Sequence, residues 1–334
     1  MGVLVWYTGG GAVETNASGD WKPAASLEAL RFRAGRLRAI REFFHQRGVL
    51  EVETPLLSPT GAVDQWIDSF QVRSALRREP LWLSTSPEFH MKRLLAAGSG
   101  PIWQMGKAFR DEGSGRQHNP EFTLLEWYRP GWGLRELCGE VEDLARAVAP
   151  AFPSARWVSY REAFLERAGV DPFRDPVDKI RQAAEEFSPV LPAIAQDDRD
   201  GWLDLLMVSR VEPGLGDPQP VFLWGYPPSR AALAKLGEED GLPVALRAEL
   251  YWKGVELSNG YDELVDPEEQ LSRFQAETRA RQALGKPTPP IDHALLEALR
   301  AGLPAGSGVA LGVDRLVALA LGADSIREIL AFPE

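Results

Sequence analysis

Apolar positions along this chain change period several times, and each change marks an element. From Leu27 to Gly48, residues Leu30, Ala34, Leu37, Ile40, Phe43 and Phe44 recur at helical spacing, predicting a helix that Gly48 ends. VLEVETPLL predicts a short strand that meets Pro55. Leu81 to Leu83 is a strand and Ser84, Thr85, Ser86 and Pro87 a turn. Glu88 opens a helix, with Ser86 as cap and Pro87 at the first helical position. PIWQMGKAF and EFTLLEWY, around a polar glycine-containing segment, predict strand, loop and strand from Pro101 to Pro130. Alternation then puts Phe122, Leu124, Glu126 and Tyr128 on one side.

From Gly131 to about Pro220 the pattern is mainly helical and reads as an insertion. ELCGEVEDLARAV is an amphipathic helix, SYREAFLERAGVDPF a strand turning into a helix, and DDRDGWLDLLMVSRVEPGLG a helix ending in a loop. VFLWGYPPSRAAL is a strand stopped by Pro227 and Pro228. In ELYWKGVELSNGYDEL, Asn259-Gly260 is a two-residue hairpin signal that would set Ser258 opposite Tyr261, Leu257 opposite Asp262 and Glu256 opposite Glu263. GSGVALGVDRLVALALG runs a glycine-rich strand into an apolar helix whose first turn holds Asp314 and Arg315.

Composition narrows the class. With 334 residues, 44% apolar and 25% charged, the chain can bury a large core. A formal net charge of -11 argues against a nucleic-acid partner and for a small cationic substrate or a basic protein face. One cysteine, Cys138, forbids an intrachain disulfide and fits a small buried residue in a reducing, cytoplasmic compartment. No apolar run approaches the roughly 20 residues of a membrane span, and MGVLVWY lacks the basic leader of a signal peptide. Residues 1–26 read as a loose tail before a domain at 27–334.

Three stretches carry chemistry. Arg110, Asp111, Glu112, Arg116 and His118 crowd a loop beside two strands, where a planar guanidinium suits an oriented phosphate. Glu256 facing Glu263 across a ladder would repel unless a cation, naturally magnesium, sat between them. The final glycine-rich turn lacks the G-x-G-x-x-G and GK[ST] patterns of other nucleotide folds. His90 and His118 have no companion at zinc-ligand spacing. Each stretch also has a plain reading: a charged hairpin tip, diverging carboxylates, and a packing turn.

The string FRDE-x5-HNPEFTLLEWY resembles motif 2 of the class II aminoacyl-tRNA synthetases, most closely the lysyl branch. The helix before Gly48 and Pro55 resembles motif 1, the dimer interface, and GVALGVDR resembles motif 3. The resemblance covers roughly residues 27–334. It implies an α+β catalytic domain, an antiparallel sheet flanked by helices, acting as a homodimer. It further implies ATP and Mg2+, with Arg110 on the α-phosphate and Arg315 on the outer phosphates. Asp111, Glu112, His118, Asn119, Phe122, Glu256, Leu257 and Gly312 would complete the ATP site, and Glu256 and Glu263 would hold magnesium. Ser86, Pro87, Glu88, Tyr128, Glu263 and Ala310 would meet the amino acid.

Two departures refine the expectation. The segment before Leu27 is too short for an anticodon-reading barrel. Ala310 stands where the synthetases usually have glycine, a methyl that would displace an α-amino group. Both departures resemble the stand-alone paralogues of the lysyl enzymes, which join (R)-β-lysine to a lysine of elongation factor P. The alternatives are a truncated synthetase-like enzyme charging RNA or a small acceptor, and an inactive binding protein that keeps the fold.

Overall fold

Six antiparallel strands carry the centre of the protein in the computed structural model, which describes residues 21–188 and 194–334. In chain order the strands are β1 (Leu50–Glu51), β2 (Leu57–Ser58), β3 (Gln71–Val72), β4 (Leu81–Leu83), β5 (Ile102–Phe109) and β6 (Glu121–Pro130). They continue with β7 (Arg156–Ser159), β8 (Val221–Tyr226), β9 (Leu236–Glu239), β10 (Leu242–Trp252), β11 (Val255–Asp262) and β12 (Gly306–Gly312). The large sheet runs β1-β5-β6-β12-β11-β10-β8-β7, with β9 paired to β10. Its two edges, β1 on β5 and β7 on β8, are parallel; the pairs between are antiparallel. The small β2-β4-β3 sheet sits apart.

The helices are α1 (Leu27–Gln46), α2 (Glu88–Ala96), α3 (Leu134–Val148), α4 (Tyr160–Ala168), α5 (Val177–Phe187), α6 (Arg199–Leu206), α7 (Pro267–Ala283), α8 (His293–Gly302) and α9 (Val313–Leu321). One face of the sheet is sealed by α1, α3 and α9, whose Ile40, Phe44, Leu137, Leu144, Leu316 and Val317 pack on Trp103, Leu125, Trp127 and Leu311. Such a sealed apolar layer is the main stabilising term, about 25 cal/mol per Å² of apolar area removed from water. A second core gathers α4, α5 and α6 on β8 and β10, and a third gathers α2, α7 and α8 near Ile102 and Tyr128.

Several expectations need correction. VLEVETPLL supplies only the two-residue strands β1 and β2. The region 131–220 is not purely helical, because β7 extends the large sheet and α3 belongs to the main core. Residues 1–20 of the expected loose tail lie outside the described residues. Ala24 and Ala25, however, donate backbone hydrogen bonds to Ala331 and Leu330, and Ser26 caps α1. The helix after Ser86 begins at Glu88 with Pro87 just before it, while Ser86 Oγ accepts the Glu88 amide as the sequence suggested.

The largest correction concerns Asn259-Gly260, which lies inside β11 and makes no turn. The chain reverses at Lys253 and Gly254 instead, both with positive φ, 53° and 73°. Two adjacent left-handed residues match the twist of the strands they join. Lys253 accepts that conformation where sequence rules favour Asn-Gly, so the stronger local signal was misleading. Glu256 and Glu263 therefore lie seven residues apart on one strand and its extension.

Candidate active site

The floor of the site is a set of rows across β11, β12 and β6. Asn259, Ala310 and Glu126 form one row; Tyr261, Gly308 and Tyr128 form the next. Phe122, Leu124, Glu126 and Tyr128 line the cavity, as alternation predicted, while Leu125 and Trp127 enter the core behind. A Cβ on Gly308 would stand 2.3 Å from the Tyr128 ring and 2.5 Å from Glu263 Oε1, so glycine there keeps the floor low. Ala310 presents the one methyl in the neighbouring row. The enclosed space is about 170 Å3.

Odd spacing should turn Glu256 and Glu263 to opposite faces. Between β10 and β11, Leu250 pairs with Ser258 but Tyr251 with Glu256, leaving Leu257 as an extra residue. This β-bulge restores Glu256 to the face shared by Asn259, Tyr261 and Glu263, and both carboxylates line the cavity. Leu257, expected at the ATP site, lines the cavity as well and packs on the core behind.

One end of the cavity is built for cations. Glu88, Glu126 and Glu263 converge there around a single buried ammonium, Lys92, which lies 2.7 Å from Glu88 and 2.6 Å from Glu263. Ser86 and Tyr128 hydroxyls donate to Glu126 at 2.9 and 2.6 Å. Burial, with the charge of Glu88 behind it, raises Glu126 to about 8. Burial also raises Glu263 to about 7, against the opposing pull of Lys92. Burial disfavours the charge on Lys92, yet Glu263 and Glu88 outweigh it and hold the ammonium firmly protonated. Three carboxylates against one lysine leave a place for further positive charge.

The other end is built for anions. Arg110 makes no ion pair among the described residues and lies 5.1 Å from the Phe122 ring centroid. Its Nε is buried without a hydrogen-bond partner, a donor whose position anticipates an acceptor. Arg315 is fixed by carbonyls of Gln117 and Glu256 and donates to His118 Nε2 at 2.8 Å. His118 must accept that bond because a guanidinium only donates. Burial and the charges of Arg315 and Arg110 push it down to about 4, so it is neutral at pH 7. Asp314, beside Arg315, bonds the Thr123 amide and pairs with Arg33 of α1, locking α9 to β6.

Glu112, His118, Asn119, Phe122, Gly312, Ala310 and Glu256 meet in this cavity as expected, with Ser86, Glu88, Arg110 and Arg315. Asp111 does not: its side chain is exposed, and its amide donates to Asp68 O. Pro87 is buried outside the cavity lining. Asn119 lies in the wall, its amide group spanning Glu121 O and the Glu334 amide. Sequence reasoning put Glu126 on the right face without assigning it a role, and passed over Lys92 altogether. A glutamate between leucine and tryptophan in an apolar strand, and a lysine four residues after Glu88, were the available signals.

Comparison with known proteins agrees with this geometry. The family model for class II tRNA synthetases (D, K and N) matches residues 18–334. Elongation factor P–(R)-β-lysine ligase of Histophilus somni strain 2336 is 46% identical over 317 residues, 94% of this chain and 97% of that protein. The proteins of that name from Proteus mirabilis and Yersinia enterocolitica are 48% and 47% identical over 318 residues, with the same coverage of both chains.

Proposed function

The chain belongs to the class II tRNA synthetase family (D, K and N) and groups with elongation factor P–(R)-β-lysine ligases, and from that premise we propose the same reaction for it. It activates (R)-β-lysine with ATP and transfers the acyl group to a lysine side chain of elongation factor P. The observation that carries this reading is the trio Glu88, Glu126 and Glu263, the last two buried, at one end of the cavity and, at the other, an Arg110 without an ion pair among the described residues. A substrate with two ammonium groups and one carboxylate fits that order of charges.

The carboxylate oxygen attacks the α-phosphorus in line; the bond to the bridging oxygen breaks and pyrophosphate leaves. The acceptor amine then attacks the acyl carbon and AMP departs. Neither step needs a protein nucleophile, so positioning and charge supply the acceleration. Arg110 holds the α-phosphate, Arg315 the outer phosphates, and Glu112, Asn119 and Phe122 frame the base, with Gly312 giving it room.

Glu256 fits a magnesium ion better than Glu263. Its carboxylate stands 3.7 Å from Arg315, whereas Glu263 is engaged by Lys92. No group of three metal-ligating side chains occurs among the described residues, consistent with an ion bound mainly through phosphate oxygens. Magnesium would neutralise those phosphates when bound. We also place the enzyme as a cytoplasmic homodimer that does not take tRNA, supported by Leu50, Leu56 and Leu57, which stay exposed after α1, and by the charge of -11. No helix among the described residues is long and apolar enough to cross a membrane.

Incubation with ATP, labelled (R)-β-lysine or lysine, and either elongation factor P or tRNA tests the assignment. Label should enter the protein, and from (R)-β-lysine in preference. Label in tRNA would favour a synthetase-like activator instead.

The raised carboxyls also predict a pH dependence. Glu126 and Glu263, at about 8 and 7, hold protons in the empty site that an incoming ammonium must displace. Binding therefore strengthens as pH rises through 7 to 8, and KM for the amino acid falls by up to about tenfold per pH unit while one proton is released. Stability runs the other way. Groups raised above their unfolded values stabilise the unliganded fold fully only below about 4.5, and that contribution disappears as pH rises through 7 to 8. The ligand-induced rise in Tm should thus grow from pH 6 to pH 8.5; a constant rise would contradict the assignment.

A further inference from the structure

A second cavity of about 410 Å3 adjoins the first and shares Ile67, Ser86, Glu88, Arg110 and Tyr261 with it. The rest of its lining comes from the loop around Asp64, from the segment after Pro228, and from α7. The reaction above uses none of this space.

Charge in this cavity is distributed unevenly. Arg273 is consumed by Glu269 and by carbonyls of Ala232 and Ala234. Asp292 caps α8 and accepts the Thr60 hydroxyl. His90 is held below its ordinary value by burial and by Arg93, so it brings no cation at neutral pH. Asp64 and Glu277 accept only backbone amides, of Trp66 and Gln65, and neither forms an ion pair among the described residues. The cavity thus offers two carboxylates without an ion pair among the described residues, although Arg230 and Arg281 bring positive charge near Glu277, and Arg110 stands where the two cavities meet.

Given the function above, on which this step rests, we propose that the second cavity admits the acceptor's lysine side chain, with Asp64 and Glu277 meeting its ammonium and Glu277 removing a proton. The geometry matches the occupant: a long aliphatic stem through a channel partly walled by Phe89, Leu233 and Phe274, and a cation at its tip. The chemistry requires such a step, because a lysine amine of ordinary pKa about 10.4 arrives protonated and cannot attack. Its proton passes to the Glu277 carboxylate. The free amine then forms the C–N bond, the acyl C–O bond to phosphate breaks, and AMP leaves with that electron pair. The amide nitrogen's surplus proton and the one on Glu277 go to solvent. Burial and the neighbouring charge of Asp64 raise Glu277, in the direction a proton acceptor for an amine needs.

The two half-reactions separate this proposal from the function beneath it. In the full-length enzyme, ATP–pyrophosphate exchange with (R)-β-lysine reports activation, and single-turnover transfer of preformed adenylate to elongation factor P reports delivery. Glu277→Gln should leave exchange within about twofold and slow transfer at pH 7.5 by tenfold or more. The lost rate should return as pH rises toward 9.5 and the amine deprotonates unaided, which a merely structural defect would not show. Ala276→Leu, at an exposed position of α7 on the cavity rim, should raise KM for elongation factor P without affecting exchange. Unchanged transfer in both variants, or a parallel fall of exchange and transfer, would overturn the channel. A wild-type enzyme that exchanges pyrophosphate but never labels elongation factor P would remove the function, and the channel with it.

Discussion

Arg110→Ala should reduce adenylate formation by about 10²–10³-fold while leaving the fold intact. The side chain makes no ion pair among the described residues, so its removal strands no partner. What disappears is a preorganised donor at the phosphorus whose charge grows in the transition state. Such a loss falls on kcat of pyrophosphate exchange more than on KM for the amino acid, whose amines bind at the other end. Lysine at this position should restore little, because a point charge cannot reproduce a planar fork. Exchange near the wild-type rate in the alanine variant would show that another group holds the α-phosphate.

Lys92→Met should be the most destabilising single change in the site, at about 3–5 kcal/mol near neutral pH. Lys92 is 1% exposed and pairs with both Glu88 and Glu263. A methionine fills a similar volume but leaves two carboxylates facing each other without a cation. Their remedy is protonation, so the deficit should shrink as pH falls below about 6 and widen toward pH 8. Urea unfolding midpoints at pH 5.5 and 8 measure the difference. A diammonium substrate should recover part of it by taking the vacant position. Equal midpoints for variant and parent at both values would mean that Lys92 does not neutralise the trio.

Much of this was readable from residues alone where local pattern and tertiary context agree. The β5–β6 arrangement followed from alternation, and its loop end placed Arg110 and His118 correctly, because a strand buried on one side must keep its apolar period. The glycine-rich β12 and the first turn of α9 were equally plain. The turn at Lys253 and Gly254 was not, because Asn259-Gly260 is the better hairpin dipeptide and pairing with both β10 and β12 holds it straight. Lys92 was invisible for another reason. A lysine at i+4 from a glutamate is an ordinary surface pair, and nothing local announces that Glu263 arrives from elsewhere to bury it. Asp111 shows the converse: neighbourhood in a motif did not secure a place in the cavity.

The extra residue at Leu257 gives β11 something like a reading frame. Every carboxylate and amide it presents is counted from that point, upstream in one phase and downstream in the other. Straightening the bulge with every residue kept would invert Glu256 and point its charge into the oily layer beneath, whereas deleting Leu257 would leave Glu256 and Asn259 two apart on one face. Activity should therefore survive loss of one residue at the bulge better than gain of one, a difference that replacing residues one at a time would never expose.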